Sequence, residues 1–231
     1  MNIEICANSS LSAWNARQGG ATRVELCRRL DVGGLTPYPE DLLACAKIPG
    51  MRTHVLIRPR AGDFCYTPKE YNQICQDVIL CRRIRGVRAV VVGFLTPDGH
   101  IDEERTREIV QLAAPMEVTF HRAFDEMQQD PAEALEAVIR CGCHRLLTSG
   151  CAPSAEEGIP VIKSLVQQAR GRILIMAGAG VTPQNAPHIL TETSVPEIHA
   201  SCKRTLPNGT TETDAAIVRE LLQGCHNVDS H

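Results

Sequence analysis

The sequence begins with MNIEICANSSLSAWNARQGGATRVELC (residues 1–27), and this stretch sets the pattern of the fold. The run IEIC (3–6) predicts a short strand, the segment after it is long and polar enough for a surface helix, and RVELC (23–27) predicts a second strand. Two strands separated by a helix predict a parallel pair joined by a crossover connection.

The same unit recurs along the rest of the chain. Further strands are predicted at HVLIR (54–58), RAVVVG (88–93), EVTFH (117–121), RLLTS (145–149), ILIMAG (173–178) and EIHAS (197–201). Helical periodicity is found at 68–84, 102–114, 131–141, 155–169 and 213–223. The N-cap and first position of three helices are predicted at Thr67-Pro68, Asp130-Pro131 and Thr182-Pro183.

Eight alternating units of strand and helix fit either a closed barrel or an open, doubly wound sheet. The length of 231 residues is close to the ~250 that is typical of one barrel, and no glycine-rich dinucleotide fingerprint follows the first strand. We therefore predict an α/β chain, residues 1–231, folded as a single-domain (β/α)8 TIM barrel. The last helix is expected to be short or incomplete, and the tail is expected to fray from about residue 225.

The bulk composition argues against several classes of partner. Aromatic residues make up 3% of the chain and the net charge is −3, with no dense basic run, so nucleic acid is not an expected partner. No stretch approaches the ~18 apolar residues of a membrane helix, and the chain opens without the features of a signal peptide. We expect a cytoplasmic protein without a membrane partner, whose odd number of cysteines forms no disulfide framework.

The alternation of side chains along the predicted strands gives the barrel an unusually polar interior. In a barrel strand one parity faces the interior and the other packs on the helices. The apolar parity belongs on the helix side, so the interior receives Glu4, Cys6, Glu25, Cys27, His121 and His199. Such residues form either a buried network of ion pairs or a functional site, and their place at the C-terminal ends of the strands favours a site.

Nine positions are candidates for catalysis or for binding an anion. The catalytic candidates are Glu25, Arg58, His121 and His199, with Glu25 or His121 as the acid or base. The anion-binding candidates are Arg60, Arg122, Gly178, Gly180 and Arg204. Arginine binds carboxylate and phosphate through paired N–H groups, and the turn MAGAGV (176–181) follows the strand after which barrels often hold phosphate. The structural alternative pairs Arg58 and Arg60 with internal carboxylates.

Two cysteines are candidates for binding a metal. Cys6 and Cys27 end neighbouring strands with the same inward parity, so their sulfur atoms are expected to lie close together. Paired thiolates in a reducing compartment suit a soft ion such as Cu(I). The alternative is that both are small residues of the core.

Several segments together resemble the copper homeostasis protein family CutC. They are MNIEICANS, VELC, GGLTP, IRPRAGDF, DGHID, TFHRAFD, LLTSG and EIHAS, and they run collinearly from Met1 to about Arg204. The resemblance implies a cytoplasmic (β/α)8 barrel that forms a homodimer and binds copper through Cys6 and Cys27. The segment ELCRRL differs from the more usual ELCSGL and places Arg28 and Arg29 beside Cys27, where positive charge opposes a bound cation.

Three functions remain open at the level of the sequence. The first is a copper homeostasis protein that holds Cu(I) through Cys6 and Cys27. The second is a barrel enzyme that acts on a small anionic or phosphorylated metabolite, with Glu25, Arg58, His121 and His199 at its centre. The third is a non-catalytic dimeric scaffold. The residues alone do not decide whether the chain is an enzyme.

Overall fold

Eight parallel strands close a barrel in the computed structural model, which describes residues 1–229. The barrel strands are β1 (Asn2–Ala7), β2 (Arg23–Leu26), β3 (Arg52–Leu56), β4 (Val87–Val92), β5 (Glu117–Phe120), β6 (Arg145–Thr148), β7 (Leu174–Ala177) and β8 (Glu197–Ala200). Each strand pairs with the next in sequence, and β8 pairs with β1 to close the ring. The predicted (β/α)8 barrel is confirmed, with each strand within two residues of its predicted ends.

Helices follow the strands as the alternating pattern predicted. They are α1 (Ser10–Gln18), α2 (Pro39–Cys45), α3 (Pro68–Arg83), α4 (Glu103–Ala113), α5 (Pro131–Arg140), α6 (Ile159–Ala169), α7 (Ala186–Thr193) and α8 (Ala215–Asp229). Two of the predicted N-caps are present: Thr67 forms a capping box with Glu70, and Asp130 accepts from the N–H groups of Ala132 and Glu133.

Two predictions about the second half of the chain were wrong, and the fraying expected from about residue 225 stays a prediction. Helix α8 is neither short nor incomplete, because it spans the 15 residues Ala215–Asp229. Residues 230–231 of the predicted tail lie outside the described residues. Helix α7 does not begin at Thr182-Pro183, because the Asn185 side chain accepts from Thr182 N–H in a separate turn that delays the helix to Ala186.

A two-stranded hairpin after β8 had no counterpart in the sequence pattern. Its strands are β9 (Lys203–Thr205) and β10 (Thr211–Thr213), which pair in antiparallel fashion. The hairpin is held against α1, because Asn15 Nδ2 donates to the carbonyl of Thr213 at 3.1 Å and the N–H of Thr213 donates to Ser12 Oγ at 3.1 Å. These bonds fix the hairpin beside the C-terminal end of the barrel.

The apolar parity of the strands faces the helices, as predicted. Ile5, Val24, Val55, Val118 and Ile198 are fully buried in the main core, which lies between the barrel and its ring of helices. This burial stabilises the barrel from outside. Among the described residues, no helix is both long and apolar enough to cross a membrane.

The lower interior of the barrel contains a layer of buried ion pairs, which we call the ion-pair layer: Glu4, Arg23, His54, Arg145 and Glu197. Glu4 Oε2 lies 3.0 Å from Arg23 Nε and 2.7 Å from His54 Nδ1. Both carboxylate oxygens of Glu197 accept from Arg23, at 2.9 and 2.8 Å, and Arg145 Nε donates to Glu197 at 2.5 Å. Burial alone would raise the pKa of Glu4, but His54, His199 and Arg23 outweigh it and hold that pKa well below its ordinary value.

Candidate functional site

A cavity of about 750 Å³ opens above the ion-pair layer, at the C-terminal ends of the strands. This volume is within the range of small-molecule sites. Six of the predicted site residues line it together with Gly180, and they are Cys6, Glu25, Arg58, His121, Arg122 and His199. The polar residues singled out by strand parity therefore converge at one end of the barrel.

The two predicted metal-binding cysteines meet beside this cavity, which Cys6 lines. Strands β1 and β2 are neighbours in register, and the Sγ atoms of Cys6 and Cys27 lie 3.8 Å apart. Both side chains are buried, and they pack with Leu56 and Val91 on the barrel interior. The hydrogen bond with Cys27, reinforced by burial, raises the pKa of the Cys6 thiol well above its ordinary value.

A histidine and a carboxylate complete the cluster around Cys6. The potential ligand atoms of Cys6, Glu25 and His199 all lie within 4.8 Å of one another. The Cys6 thiol donates to Glu25 Oε2 at 3.5 Å, and Glu25 Oε2 lies 3.7 Å from His199 Nε2. On its other edge, His199 Nδ1 lies 3.0 Å from Glu4 Oε1. Glu4 therefore orients the ring, and Nε2 is the nitrogen turned toward the cluster.

Burial and neighbouring charges shift the pKa values of Glu25 and His199 in opposite directions. Burial raises the pKa of Glu25, although the neighbouring His199 opposes the rise. Burial would lower the pKa of His199, but Glu25, Cys6 and Glu4 together raise it well above its ordinary value. These neighbours therefore favour the protonated form of the histidine, whose charge compensates the carboxylate beside it.

The two arginines that follow Cys27 turn away from the sulfur pair. Arg28 Nε donates to the carbonyl of Thr36, and the guanidinium stacks on Tyr38 at 4.8 Å from the ring centre. Arg29 pairs with Asp31 on the surface. Both guanidinium groups interact with other residues. They therefore repel a cation at the cysteine pair less than the sequence ELCRRL suggested.

Arg58 and His121 form a second polar group in the same cavity. The Arg58 guanidinium donates to the carbonyls of Val32, Gly34 and Gly62. Phe64 contacts both groups, with its ring centre 4.9 Å from the guanidinium and 4.8 Å from the centre of the His121 ring. Burial, with a contribution from the Arg58 charge, lowers the pKa of His121 to about 3. His121 is therefore uncharged at neutral pH and is only a weak base.

Three predicted anion-binding residues do not line the cavity. Arg60 turns outward because Glu70, at 2.6 Å, and Asp63, at 2.9 Å, hold its guanidinium over Tyr66. Arg204 lies on the outer side of the hairpin, where Glu212 binds it at 2.9 Å. Gly178 is buried beneath His199, and a Cβ there would lie 3.2 Å from the His199 Cβ and 2.6 Å from Leu147 Cδ1. This glycine makes room for the histidine.

Arg122 lines the cavity at its rim, and two further interior residues were not predicted from the sequence. Arg122 lies at the rim, where Asp125 binds it at 2.8 Å. His54, which contacts Glu4, was missed although its parity with Arg58 places it inside. Phe64 was missed because it lies in a loop, to which the rule of alternating faces does not apply.

One known protein family matches most of the chain. The model of the CutC family matches residues 1–204. The chain belongs to the CutC family. A CutC family protein of Porphyromonas gingivalis is 44% identical over 208 residues, which cover 90% of this chain and 83% of the relative. The human copper homeostasis protein cutC homolog is 41% identical over 223 residues, covering 96% of this chain and 81% of the relative.

Solved structures agree with this assignment. CutC from Streptococcus agalactiae superposes on this CutC-family chain with a TM-score of 0.82 at 31% identity, covering 87% of this chain and 98% of that structure. The phosphoribosyl anthranilate isomerase of Thermotoga maritima superposes with a TM-score of 0.61 at 13% identity, covering 98% and 99%. The second likeness shows the barrel fold alone. The chain is thus a member of a copper homeostasis family with a polar cavity at the expected end of its barrel.

Proposed function

We propose that this CutC-family protein serves copper homeostasis by binding one Cu(I) ion between Cys6 and Cys27. The observation that carries the proposal is the distance of 3.8 Å between their sulfur atoms, with Cys6 lining an open cavity. Sulfur–metal bonds in proteins are ~2.3 Å long, so two sulfurs on one ion are at most ~4.6 Å apart. The pair is within this limit without rearrangement of the strands.

The donor set suits a soft ion. Thiolates select Cu(I), and imidazole is a further ligand that copper accepts. His199 is the third ligand in this proposal, because Glu4 holds its Nδ1 at 3.0 Å and leaves Nε2 facing Cys6. A carboxylate behind a ligating histidine is a common arrangement, since it fixes the ring and raises its basicity. Glu25 remains as the outer neighbour of the site.

The expected setting of this function follows from the same family. We propose that the whole chain acts as one barrel domain in the cytoplasm and that it forms a homodimer. Three apolar side chains support association between copies, because Leu11 and Trp14 on α1 and Leu43 on α2 are about half exposed. Sedimentation velocity of the purified protein measures the association state directly.

An anaerobic Cu(I) titration against a calibrated chelator tests the copper proposal. We expect a stoichiometry of one ion per chain, with Cys6 and Cys27 protected from alkylation in the loaded protein. Mass spectrometry of the alkylated peptides identifies which thiols are protected. A protein that takes no Cu(I) from the chelator, or that protects only other cysteines, would show that the proposal is wrong.

The affinity for Cu(I) is expected to rise with pH. The pKa of Cys6 is raised, so its thiol carries a proton at neutral pH and must release it when the metal binds. One released proton makes the apparent association constant about tenfold larger per pH unit, and we expect at least this slope between about pH 6 and pH 8. The measurement is the same titration with the chelator calibrated at each pH. A flat profile contradicts a protonated Cys6 as ligand.

A further inference from the structure

Arg58 is a buried cation whose charge no carboxylate of the described residues balances. Only 7% of the residue is exposed, and its three hydrogen bonds go to the neutral carbonyls of Val32, Gly34 and Gly62. In the described part of the chain, no Asp or Glu oxygen lies within 4.0 Å of its guanidinium. Its neighbour Tyr66 adds no charge, because burial raises the pKa of that phenol to about 12. A buried charge is costly unless an opposite charge approaches it.

His121 presents a hydrogen-bond donor in the same part of the cavity. Its Nδ1 accepts from the N–H of Ala123 at 3.1 Å, so the proton of the neutral ring is on Nε2. The residue is 5% exposed, and Nε2 has no hydrogen-bond partner among the described residues. A buried donor without an acceptor is unusual in a folded protein. The ring can give a hydrogen bond to a ligand but cannot receive one at this position.

The remaining charges around the cavity leave this corner positive. Lys203 stands exposed at the rim, and no ion pair to it is formed within residues 1–229. Of the carboxylates that line the cavity, Glu25 faces His199, and Glu126 and Glu220 are exposed to solvent. Arg58 and His121 both line the cavity and share Phe64 as a contact. They therefore offer a charge and a donor that the chain itself does not satisfy.

We propose that the cavity binds a small organic anion, whose carboxylate or phosphate oxygens are held by Arg58 and His121. The site lies beside the cysteine pair and does not depend on copper being bound there. Arg58 supplies the charge, the His121 Nε2–H group donates to one oxygen, and Lys203 attracts the anion to the opening. Carboxylate and phosphate share the chemistry that this corner recognises, namely an anionic oxygen that accepts hydrogen bonds.

Binding of simple oxyanions to the copper-free protein tests this site. Inorganic phosphate, acetate and malonate are titrated at constant ionic strength, with chloride as the control anion. NMR of protein labelled with ¹⁵N at histidine follows the His121 side chain. We expect saturable shifts of the His121 signal with at least one oxyanion and none with chloride. Saturation by phosphate alone identifies a phosphate ester as the ligand class, whereas saturation by acetate or malonate identifies an organic acid.

Two variants with a matched control decide whether these residues bind the anion. His121→Asn keeps an acceptor near the position of Nδ1 for the Ala123 N–H and removes the Nε2 donor. Arg58→Gln removes the charge. A hydrogen bond to a charged group accounts for about ten- to hundredfold in affinity, and we expect calorimetry to show a loss of that size in each variant. Arg60→Gln is the control, because that arginine is bound by Glu70 outside the cavity, and its affinity should equal that of the wild type.

The outcomes separate this site from the copper site. Arg58 also ties three loop carbonyls together, so His121→Asn is the decisive variant if Arg58→Gln does not fold. Cys6→Ser should bind the oxyanion as the wild type does, whatever it does to copper. The proposal is overturned if no oxyanion shifts the His121 signal of the wild type, or if His121→Asn binds with unchanged affinity.

Discussion

Replacing Cys6 and Cys27 together by serine is expected to abolish specific Cu(I) binding. The hydroxyl oxygen of serine is a hard donor and does not replace a thiolate at a soft ion. Loss of a residue that merely supports a metal ligand costs about ten- to hundredfold in affinity, so loss of both sulfur ligands should exceed about a hundredfold. The competition titration with a Cu(I) chelator measures this loss.

A matched double variant controls for the number of thiols. Cys65→Ser/Cys151→Ser also removes two cysteines, but these are only half-buried or exposed and lie outside the cavity. We expect it to bind one Cu(I) ion with the affinity of the wild type. Far-UV circular dichroism of both variants verifies the barrel. If the Cys6 and Cys27 variant keeps wild-type affinity while folded, the copper site lies elsewhere.

Glu197→Ala is expected to cause a large loss of stability. Its carboxylate binds Arg23 with both oxygens and Arg145 with one, and all three residues are less than 5% exposed. In the alanine variant, the buried guanidinium groups of Arg23 and Arg145 lose the carboxylate that they share. Breaking a buried pair in this way costs ~3–5 kcal/mol. Equilibrium unfolding in urea measures the change in the free energy of unfolding.

Two further variants serve as comparisons for the loss of stability in Glu197→Ala. Glu197→Gln keeps an oxygen acceptor at the same place and should lie between the alanine variant and the wild type. Glu136→Ala removes an ion pair with Arg172 on the surface, where water screens both charges, and should change the free energy of unfolding little. A Glu197→Ala protein as stable as Glu136→Ala would mean that the ion-pair layer does not hold the barrel together.

The sequence predicted most of the barrel because two simple periodicities determine it. Eight short apolar runs alternate with helical segments, and the parity of RVELC and EIHAS placed Glu25 and His199 on the inside, where both are found. The proximity of Cys6 to Cys27 was predicted from strand order and parity alone. Interior positions on adjacent strands are fixed by hydrogen-bonded register, which leaves little freedom to the side chains.

The contacts made by residues in the loops could not be predicted from these periodicities. Arg60 and Arg204 follow strand ends, but their nearest carboxylates, Glu70 and Glu212, lie in other elements and draw both guanidinium groups outward. Gly178 appeared to belong to an anion-binding turn, whereas its lack of a side chain is needed for packing under His199. Such outcomes depend on tertiary contacts that periodicity does not contain. The combined role of the interior polar residues also escaped prediction, since they divide into an ion-pair layer below and a cavity above.

The ion-pair layer also determines the route by which anything reaches the cavity. Glu4, Arg23 and Glu197 are at most 1% exposed and close the barrel from below. The barrel is therefore closed at this end, and a ligand of the cavity would leave by the path on which it entered. If copper is bound as proposed, it would enter and leave through the rim of the cavity, beside Lys203 and the hairpin. An anion bound near Arg58 would then stand in its path.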